Sequence, residues 1–323
     1  MTESTTSSAF MHALTTSGTI LGEGAVIERL RRMPAIRLDE RVVNSALIYD
    51  QQGREALSAI CRQYLDIGLR HGLPLLLSTP TWRASRQRIA EAGLAGRDLN
   101  GDNFRFLDAL RAEFGNYGNK VAICGLMSCQ GDAYKPEQAL SAVESRTFHA
   151  WQAEALAVAG VDLLLAATLP ALSEAIGLAQ ALSATGLTYL ISFVARPQGT
   201  LLDGTPLTTA IATIDSLASP PPLAYLINCT HASICRSALS HQQNSSDMVR
   251  KRVIGLLANT AALSPEELDN SSDVVEEAPE LFGGDVAALQ EEFGLRILGG
   301  CCGTDERHIA CLAQHLAARL QVS

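Results

Sequence analysis

Short hydrophobic runs alternate with longer segments of helical periodicity along most of this chain. Runs rich in Val, Ile and Leu are typical of parallel strands whose two faces are both covered. They predict eight strands, over Thr19–Leu21, Pro74–Ser78, Lys120–Ile123, Val161–Ala166, Thr188–Phe193, Ala224–Asn228, Val253–Leu257 and Leu295–Leu298. This alternation favours an α/β fold in one domain, a (β/α)8 TIM barrel. The alternative is an open doubly wound sheet, but no Gly-x-Gly-x-x-Gly turn follows the first predicted strand.

Helical spacing fills several of the segments between these strands. One predicted helix covers Leu140–Ala159, with an apolar stripe of Val143, Phe148, Ala155 and Val158. The last covers Thr304–Leu320, with a stripe of Ile309, Leu312, Leu316 and Leu320. Arg196–Pro206 and Ser264–Asp285 predict loops, because both contain Pro and Gly and the second is strongly acidic.

The first seventeen residues are polar and rich in Ser and Thr, which predicts a flexible tail over residues 1–17 and a barrel over residues 18–323. This start lacks the apolar core of a secretory signal, and no apolar stretch reaches the length of a membrane span. The net charge of −9 argues against a nucleic-acid partner. We therefore expect a cytoplasmic protein without membrane contact, and its homo-oligomerisation stays open.

Eight cysteines in a cytosolic chain indicate reduced thiols rather than a disulfide framework. Cys301 and Cys302 follow the last predicted strand within Gly299–Thr304, where glycines permit a turn that brings both sulfurs to one point. Cys229 follows the sixth strand and would lie on the same rim. Three thiolates with one vacant position are the arrangement expected of catalytic Zn²⁺. A strained vicinal disulfide and two small buried hydrophobic side chains are the alternatives for the adjacent pair.

At these residues the chain resembles the homocysteine S-methyltransferase family, which includes betaine-, S-methylmethionine- and folate-dependent enzymes. The Gly-Gly-Cys-Cys-Gly-Thr motif of Gly299–Thr304 and the triplet Asn228–Thr230 carry the resemblance, which runs from Gly18 to Ala318. The resemblance implies a (β/α)8 barrel, a zinc ion on the three matching cysteines and methyl transfer to a small-molecule thiol, with homocysteine as the usual acceptor.

The second substrate that the resemblance implies is a methyl donor. The chain has no room for separate folate and cobalamin domains, so a small diffusing onium donor of the S-methylmethionine, S-adenosylmethionine or betaine type is expected. Cationic groups are stabilised over aromatic faces. Trp82, after the second strand, is the best-placed substrate-binding candidate, and Tyr49 and Tyr134 are further candidates.

Two positions depart from the family pattern where the acceptor binds. The family's Gly-Asp-Gly is Gly-Glu-Gly here, so Glu23 becomes the candidate catalytic and substrate-binding carboxylate. The family's acidic residue before Thr-x-Pro is Ala167, which is followed by Thr168. Thr168 and Asn228 remain candidate substrate-binding residues. Losing one side of a buried charge pair costs about 2–5 kcal/mol, so the acceptor is either a thiol other than homocysteine or homocysteine held by Glu23.

Other functions stay open at this point. A degenerate barrel that keeps its metal would be a zinc-binding protein without turnover, and an adjacent cysteine pair could serve redox chemistry. His231, two residues after Cys229, is a candidate ligand or proton shuttle for which a local role is favoured, and Asn228 and Asn259 are each candidates for orienting backbone near the metal.

Overall fold

The computed structural model describes residues 5–263 and 277–320, and its eight strands form a closed parallel barrel in chain order. The strands are β1 Ile20–Gly22, β2 Leu75–Ser78, β3 Val121–Met127, β4 Leu163–Leu169, β5 Tyr189–Phe193, β6 Ala224–His231, β7 Val253–Asn259 and β8 Ile297–Gly300. β1 pairs with β8 through Ile20 and Ile297, which closes the barrel. The predicted (β/α)8 barrel and all eight predicted strands are therefore confirmed.

The helices pack around the barrel and bury apolar faces against it. They are α1 Thr5–Thr16, α2 Ile27–Arg31, α3 Gln51–His71, α4 Arg86–Glu91, α5 Leu99–Ala112, α6 Ala142–Ala159, α7 Leu172–Ser183, α8 Leu207–Leu217, α9 Ala232–Ser240, α10 Asp247–Arg252, α11 Pro279–Phe293 and α12 Glu306–Leu320. Asp50 caps α3 by accepting from the Gly53 amide, and Gly72 ends that helix in the left-handed region. Within residues 5–263 and 277–320, no helix has both the length and the apolar character that crossing a bilayer requires.

The start of the chain differs from the flexible tail that we expected. α1 forms there, and Phe10 and Leu14 are buried in one cluster with Ile20 of β1 and Leu76 of β2. Two large apolar side chains among the Ser and Thr residues are enough to hold this helix against the barrel. The strands begin at one end of the barrel. Their carboxyl ends, which border the cavity described below, lie at the opposite end.

The predicted apolar stripe of α6 is wrong. Val143 and Val158 are 78% and 77% exposed, and the buried face instead carries polar side chains. His149 contacts the buried carboxylate of Glu174 at 2.9 Å, and Gln152 donates to the Thr81 carbonyl. Buried polar groups that are hydrogen-bonded in this way cost little, so hydrophobicity alone did not identify the inner face.

The two predicted loops have different outcomes. Arg196–Pro206 is a loop, closed by bridges that pair Ala195 with Leu201 and Thr200 with Pro206. Of Ser264–Asp285, residues 264–276 lie outside the described part of the chain. From Pro279 onward the segment is helical, because Pro at the first turn of α11 suits a helix start.

Candidate metal centre and substrate cavity

The loop that carries Cys301 and Cys302 is shaped by its glycines. A side chain at Gly299 would come within 2.6 Å of Gly22 Cα, so the close approach of β8 to β1 requires glycine. Gly303 has a φ of +83°, which turns the chain back toward α12. The Thr304 hydroxyl donates to the Cys301 carbonyl at 2.7 Å and accepts from the Ala25 amide. The two sulfurs are thereby directed into the barrel mouth.

Cys229 reaches the same point through an irregularity in β6. Its φ is +51°, a left-handed conformation that costs about 1–2 kcal/mol for a residue other than glycine. The register between β6 and β7 shifts at this point, between Asn228 and Thr230. A β-bulge of this kind re-aims a side chain. The Cys229 sulfur lies 2.7 Å from that of Cys301 and 3.9 Å from that of Cys302.

The chemistry of this group fits a soft divalent cation. All three sulfurs lie within 4.8 Å of one another, and all eight cysteines are free. Tetrahedral Zn²⁺–thiolate geometry spaces sulfurs by about 3.8 Å, so the Cys229–Cys301 pair would open on binding and the Cys229–Cys302 pair would stay. Hydrogen bonding to Cys229 and burial raise the pKa of Cys301 well above its ordinary value. These thiols therefore need a cation to become thiolates together.

Asn259, at the end of β7, adds a second observation to the fit. Its side chain is 1% exposed and borders the cavity that contains the thiols. Neither its amide oxygen nor its amide nitrogen has a hydrogen-bond partner among the described residues. Buried polar groups without partners are rare in proteins and indicate a missing ion, ligand or water. The expectation that Asn259 orients backbone is not what its side chain does here.

β4 and β6 are joined at their carboxyl ends by the side chain of Asn228. Its oxygen accepts from the Thr168 amide at 2.8 Å and from the Ser192 hydroxyl at 2.7 Å. Its nitrogen donates to the Thr168 hydroxyl at 2.8 Å. Thr168 has a φ of +62°, and the register between β4 and β5 shifts here. The described contacts of Asn228 thus join the ends of β4, β5 and β6.

Glu23 follows β1 directly and is partly buried at the cavity wall. Its carboxylate accepts from the Ser78 amide at 3.0 Å. Burial raises the pKa of Glu23 to about 8, against the smaller opposing effect of the hydrogen bond with Ser78. The carboxyl group therefore holds its proton at neutral pH until a cation enters the cavity.

The predicted site residues all border one cavity of about 580 Å³ at the carboxyl ends of the strands. They are Glu23, Trp82, Thr168, Asn228, Cys229, Cys301 and Cys302. Ala167 also borders it, and offers no charge. Their roles in binding and catalysis stay predictions. Arg83 and Asp132 line the same cavity but were not predicted from the sequence. Both lie in loops, and their position after a strand was the only sequence feature that pointed to the cavity.

The three aromatic candidates occupy different places. The guanidinium of Arg83 lies 4.2 Å from the ring centre of Trp82, so one face of this ring already carries a cation. Tyr134, like Cys301 and Cys302, packs against a buried cluster that contains Cys229. Tyr49 is absent from the residues that border the cavity, and its hydroxyl donates to Asp102.

His231 has the local role that was expected of it. Its Nδ1 atom pairs with the Ser233 hydroxyl at 2.8 Å, and its Nε2 atom lies 3.4 Å from the Glu277 carboxylate. It caps α9 and is not among the residues that border the cavity.

The fold and the site together define the class of protein. It is a (β/α)8 barrel with a candidate metal centre of three thiols at the carboxyl ends of its strands. The family model for homocysteine S-methyltransferase matches residues 20–316. The chain therefore belongs to the homocysteine S-methyltransferase family.

Individual relatives match over part of their length. The chain is 30% identical to homocysteine S-methyltransferase of Escherichia coli K12 over 195 residues, which is 58% of each chain. It is 28% identical to homocysteine S-methyltransferase YbgG of Bacillus subtilis 168 over 205 residues, which is 63% of this chain and 60% of the relative. The matches thus span about three fifths of these relatives.

Solved structures match across almost the whole chain. The metallated form of the Escherichia coli homocysteine methyltransferase MmuM has a TM-score of 0.74 and 22% identity, covering 96% of this chain and 99% of that one. Its oxidized form has a TM-score of 0.75 and 22% identity, covering 95% and 99%. At this identity the likeness establishes the shared fold.

Proposed function

We propose that this protein transfers a methyl group from a small onium donor to a thiol, at a zinc ion held by Cys229, Cys301 and Cys302. The observation that carries the proposal is the convergence of three free sulfurs, one buried and two partly buried, within 4.8 Å at the mouth of the barrel. Family membership and the metallated form of the related MmuM support the reaction class and the metal. Three protein ligands leave a position for the substrate thiol.

The residues of the chain divide the chemical work. When bound, a zinc ion supplies the positive charge that lets a thiol lose its proton at neutral pH. The three cysteines hold that charge, and the Asn228 bridge to Thr168 fixes the strand end from which Cys229 projects.

The acceptor is proposed to meet Glu23. A neutral Glu23 carboxyl group gives up its proton when an ammonium group binds beside it, because the ion pair offsets the burial that raises its pKa to about 8. Homocysteine, the family's acceptor, carries such an ammonium group. Ala167 adds no second carboxylate, so we expect weaker selection for amino-acid thiols than two carboxylates would give.

Turnover by the zinc-loaded protein tests the proposal. Purified protein is offered S-methylmethionine with homocysteine or with a simple mercaptan, and the methylated product is measured. We expect turnover that falls by about a thousandfold or more in Cys229→Ser, since one of three metal ligands is lost. Cys311→Ser is the matched control, because Cys311 lies on α12 away from the cavity.

The same assay separates the remaining alternatives. Zinc-loaded protein without turnover on any onium donor would contradict the proposal and leave a metal-binding barrel. A protein that turns over without metal and retains activity in Cys229→Ser would contradict the assigned site. Homocysteine binding that vanishes for simple mercaptans identifies an amino-acid thiol as the acceptor.

A further inference from the structure

The cavity has two aromatic walls, and they differ in what already lies against them. Trp82 and Tyr134 are the aromatic residues that border it. The Arg83 guanidinium stacks on Trp82 and donates to the carbonyl groups of Cys129 at 2.7 Å and Gly131 at 2.6 Å, so it is fixed in place. A second cation on that face of Trp82 would be repelled by Arg83.

Tyr134 borders the cavity beside the three cysteines, at which the proposed methyl transfer takes place. Its side chain packs in one cluster with Cys229, Cys301 and Cys302. In a methyl transfer the donor carbon approaches within about 3–3.5 Å of the acceptor sulfur. The acceptor sulfur is activated beside the three cysteines, so the charged centre of the donor comes within a few ångströms of them and of the Tyr134 ring.

The loop that carries Tyr134 is held rigidly in this position. Its amide donates to the Asp132 carboxylate at 2.9 Å. The buried Glu174 carboxylate accepts from the amides of Gln130 at 2.7 Å and Leu140 at 3.3 Å, which flank the loop on both sides. A ring held by such contacts binds a cation without an ordering cost at the moment of binding.

We propose that the face of the Tyr134 ring binds the positively charged centre of the methyl donor beside the three cysteines. This inference rests on the proposed function and names the donor subsite of the same cavity. The acceptor sulfur supplies the electron pair of the new S–CH₃ bond. The onium C–S or C–N bond breaks, and its electron pair stays on the departing thioether or amine, which becomes neutral.

The loss of charge decides which kinetic constant should respond. The ring attracts the full charge of the bound donor, and this charge is partly dissipated in the transition state. Removing the ring therefore raises KM for the donor more than it lowers kcat. The neutral product binds the ring less strongly than the donor does, which favours its release.

A matched pair of ligands isolates the charge. S-methylmethionine carries a dimethylsulfonium group, and 2-amino-5-methylhexanoate has the same shape with a neutral carbon in place of sulfur. We expect the zinc-loaded protein to bind the sulfonium about tenfold more tightly than the carbon isostere, the preference expected of one partly buried cation–π contact. Both affinities are measured by isothermal titration.

Three variants assign the preference to a side chain. Tyr134→Phe keeps the ring and removes the hydroxyl, and should keep the preference within about threefold. Tyr134→Leu should abolish the preference and leave zinc content unchanged. Trp82→Leu should retain it. A preference that survives in Tyr134→Leu, or that is lost in Trp82→Leu alone, would overturn the assignment.

A graded series covers the case in which Tyr134→Leu does not fold. Phenylalanines with successively more ring fluorines at position 134 keep size and shape and weaken the negative ring face. Sulfonium affinity should fall stepwise with fluorination, and affinity for the carbon isostere should stay level. Equal behaviour of both ligands would overturn the inference. A stepwise fall in a protein that turns over no onium donor would support the subsite and contradict the proposed function.

Discussion

At the carboxyl ends of β4 and β6 the backbone makes the same detour. Each strand contains a non-glycine residue with a positive φ, Thr168 at +62° and Cys229 at +51°. Each detour coincides with a shift of register against the following strand. One strand uses the detour to direct the Cys229 thiol toward Cys301 and Cys302, and the other lines the same cavity with Ala167 and Thr168.

The two strand ends share a positive φ and a register shift, so they differ only in the side chains that they carry. Asn228 couples them, since its amide bonds both the main chain and the hydroxyl of Thr168 and lies next to Cys229 in sequence. Strained backbone persists where the surrounding structure fixes it, and it clusters at functional sites. β4 therefore buttresses the cysteine side of the cavity, and Glu23 at the β1 end stays the proposed acidic contact for a substrate.

Breaking the Asn228 bridge should have the largest effect. Asn228→Ala leaves the buried Thr168 amide and Ser192 hydroxyl without their acceptor, which should cost about 2–4 kcal/mol in the free energy of unfolding. Support for Cys229 is lost too, so zinc affinity should fall at least tenfold. Denaturant unfolding of the metal-free protein and competition with a zinc chelator measure the two effects.

Asn244→Ala is the matched control for this bridge. Asn244 is equally buried, donates to the carbonyls of Gly199 and Ala238, and is not among the residues that border the cavity. It should lose comparable stability and keep its zinc affinity. If both variants lose zinc to the same extent, the coupling of the β4 and β6 ends reflects global stability alone.

The sequence predicted the strands and not the way they end. Hydrophobic runs indicated β4 and β6, but the predicted ends, Ala166 and Asn228, fall three residues short of the observed ones. Three of the missing residues, Ala167, Thr168 and Cys229, line the cavity, where polar and small side chains replace apolar ones. The detours at Thr168 and Cys229 depend on pairing with neighbouring strands, which periodicity along one segment does not report.

The convergence of the three cysteines was predictable because Cys, Gly and strand ends are all visible in sequence. The missing partners of Asn259 were not predictable, since they depend on what surrounds a side chain. The same holds for α6, where His149 and Gln152 face inward through long-range hydrogen bonds to Glu174 and Thr81.

The β1 side of the cavity carries the titrating carboxyl group of Glu23, and Ala167 on the β4 side carries none. The pH dependence of the free energy of unfolding tests this difference. The Glu23 pKa of about 8 lies above the ordinary value of 4.5. Between these values the folded protein keeps a proton that the unfolded chain releases, so the free energy of unfolding falls as the pH rises through this window. Glu23→Gln lacks this loss, and its melting temperature relative to the unsubstituted metal-free protein should rise from about pH 5 to pH 8 and then level off.

Glu113→Gln is the control for this pH dependence. Arg62 holds the pKa of the exposed Glu113 carboxyl below its usual range, so its contribution is complete above the ordinary value and does not vary between pH 5 and 8. If the melting temperatures of Glu23→Gln and of the unsubstituted protein change with pH in parallel, the Glu23 carboxyl group is solvated. An ion pair with the ammonium group of the acceptor would then add little to binding.

Replacement of Thr168 tests the smallest effect, the backbone strain that the two detours share. Thr168→Ala and Thr168→Gly both lose the hydrogen bond with the Asn228 amide, so their difference isolates the backbone. Glycine adopts a φ of +62° without the steric cost that alanine bears. Despite the greater flexibility of its unfolded chain, the glycine variant should be about 1 kcal/mol more stable in denaturant unfolding. If the alanine variant is the more stable one, Thr168 is not strained, and the β4 end cannot be the mechanical counterpart of the β6 end that holds Cys229.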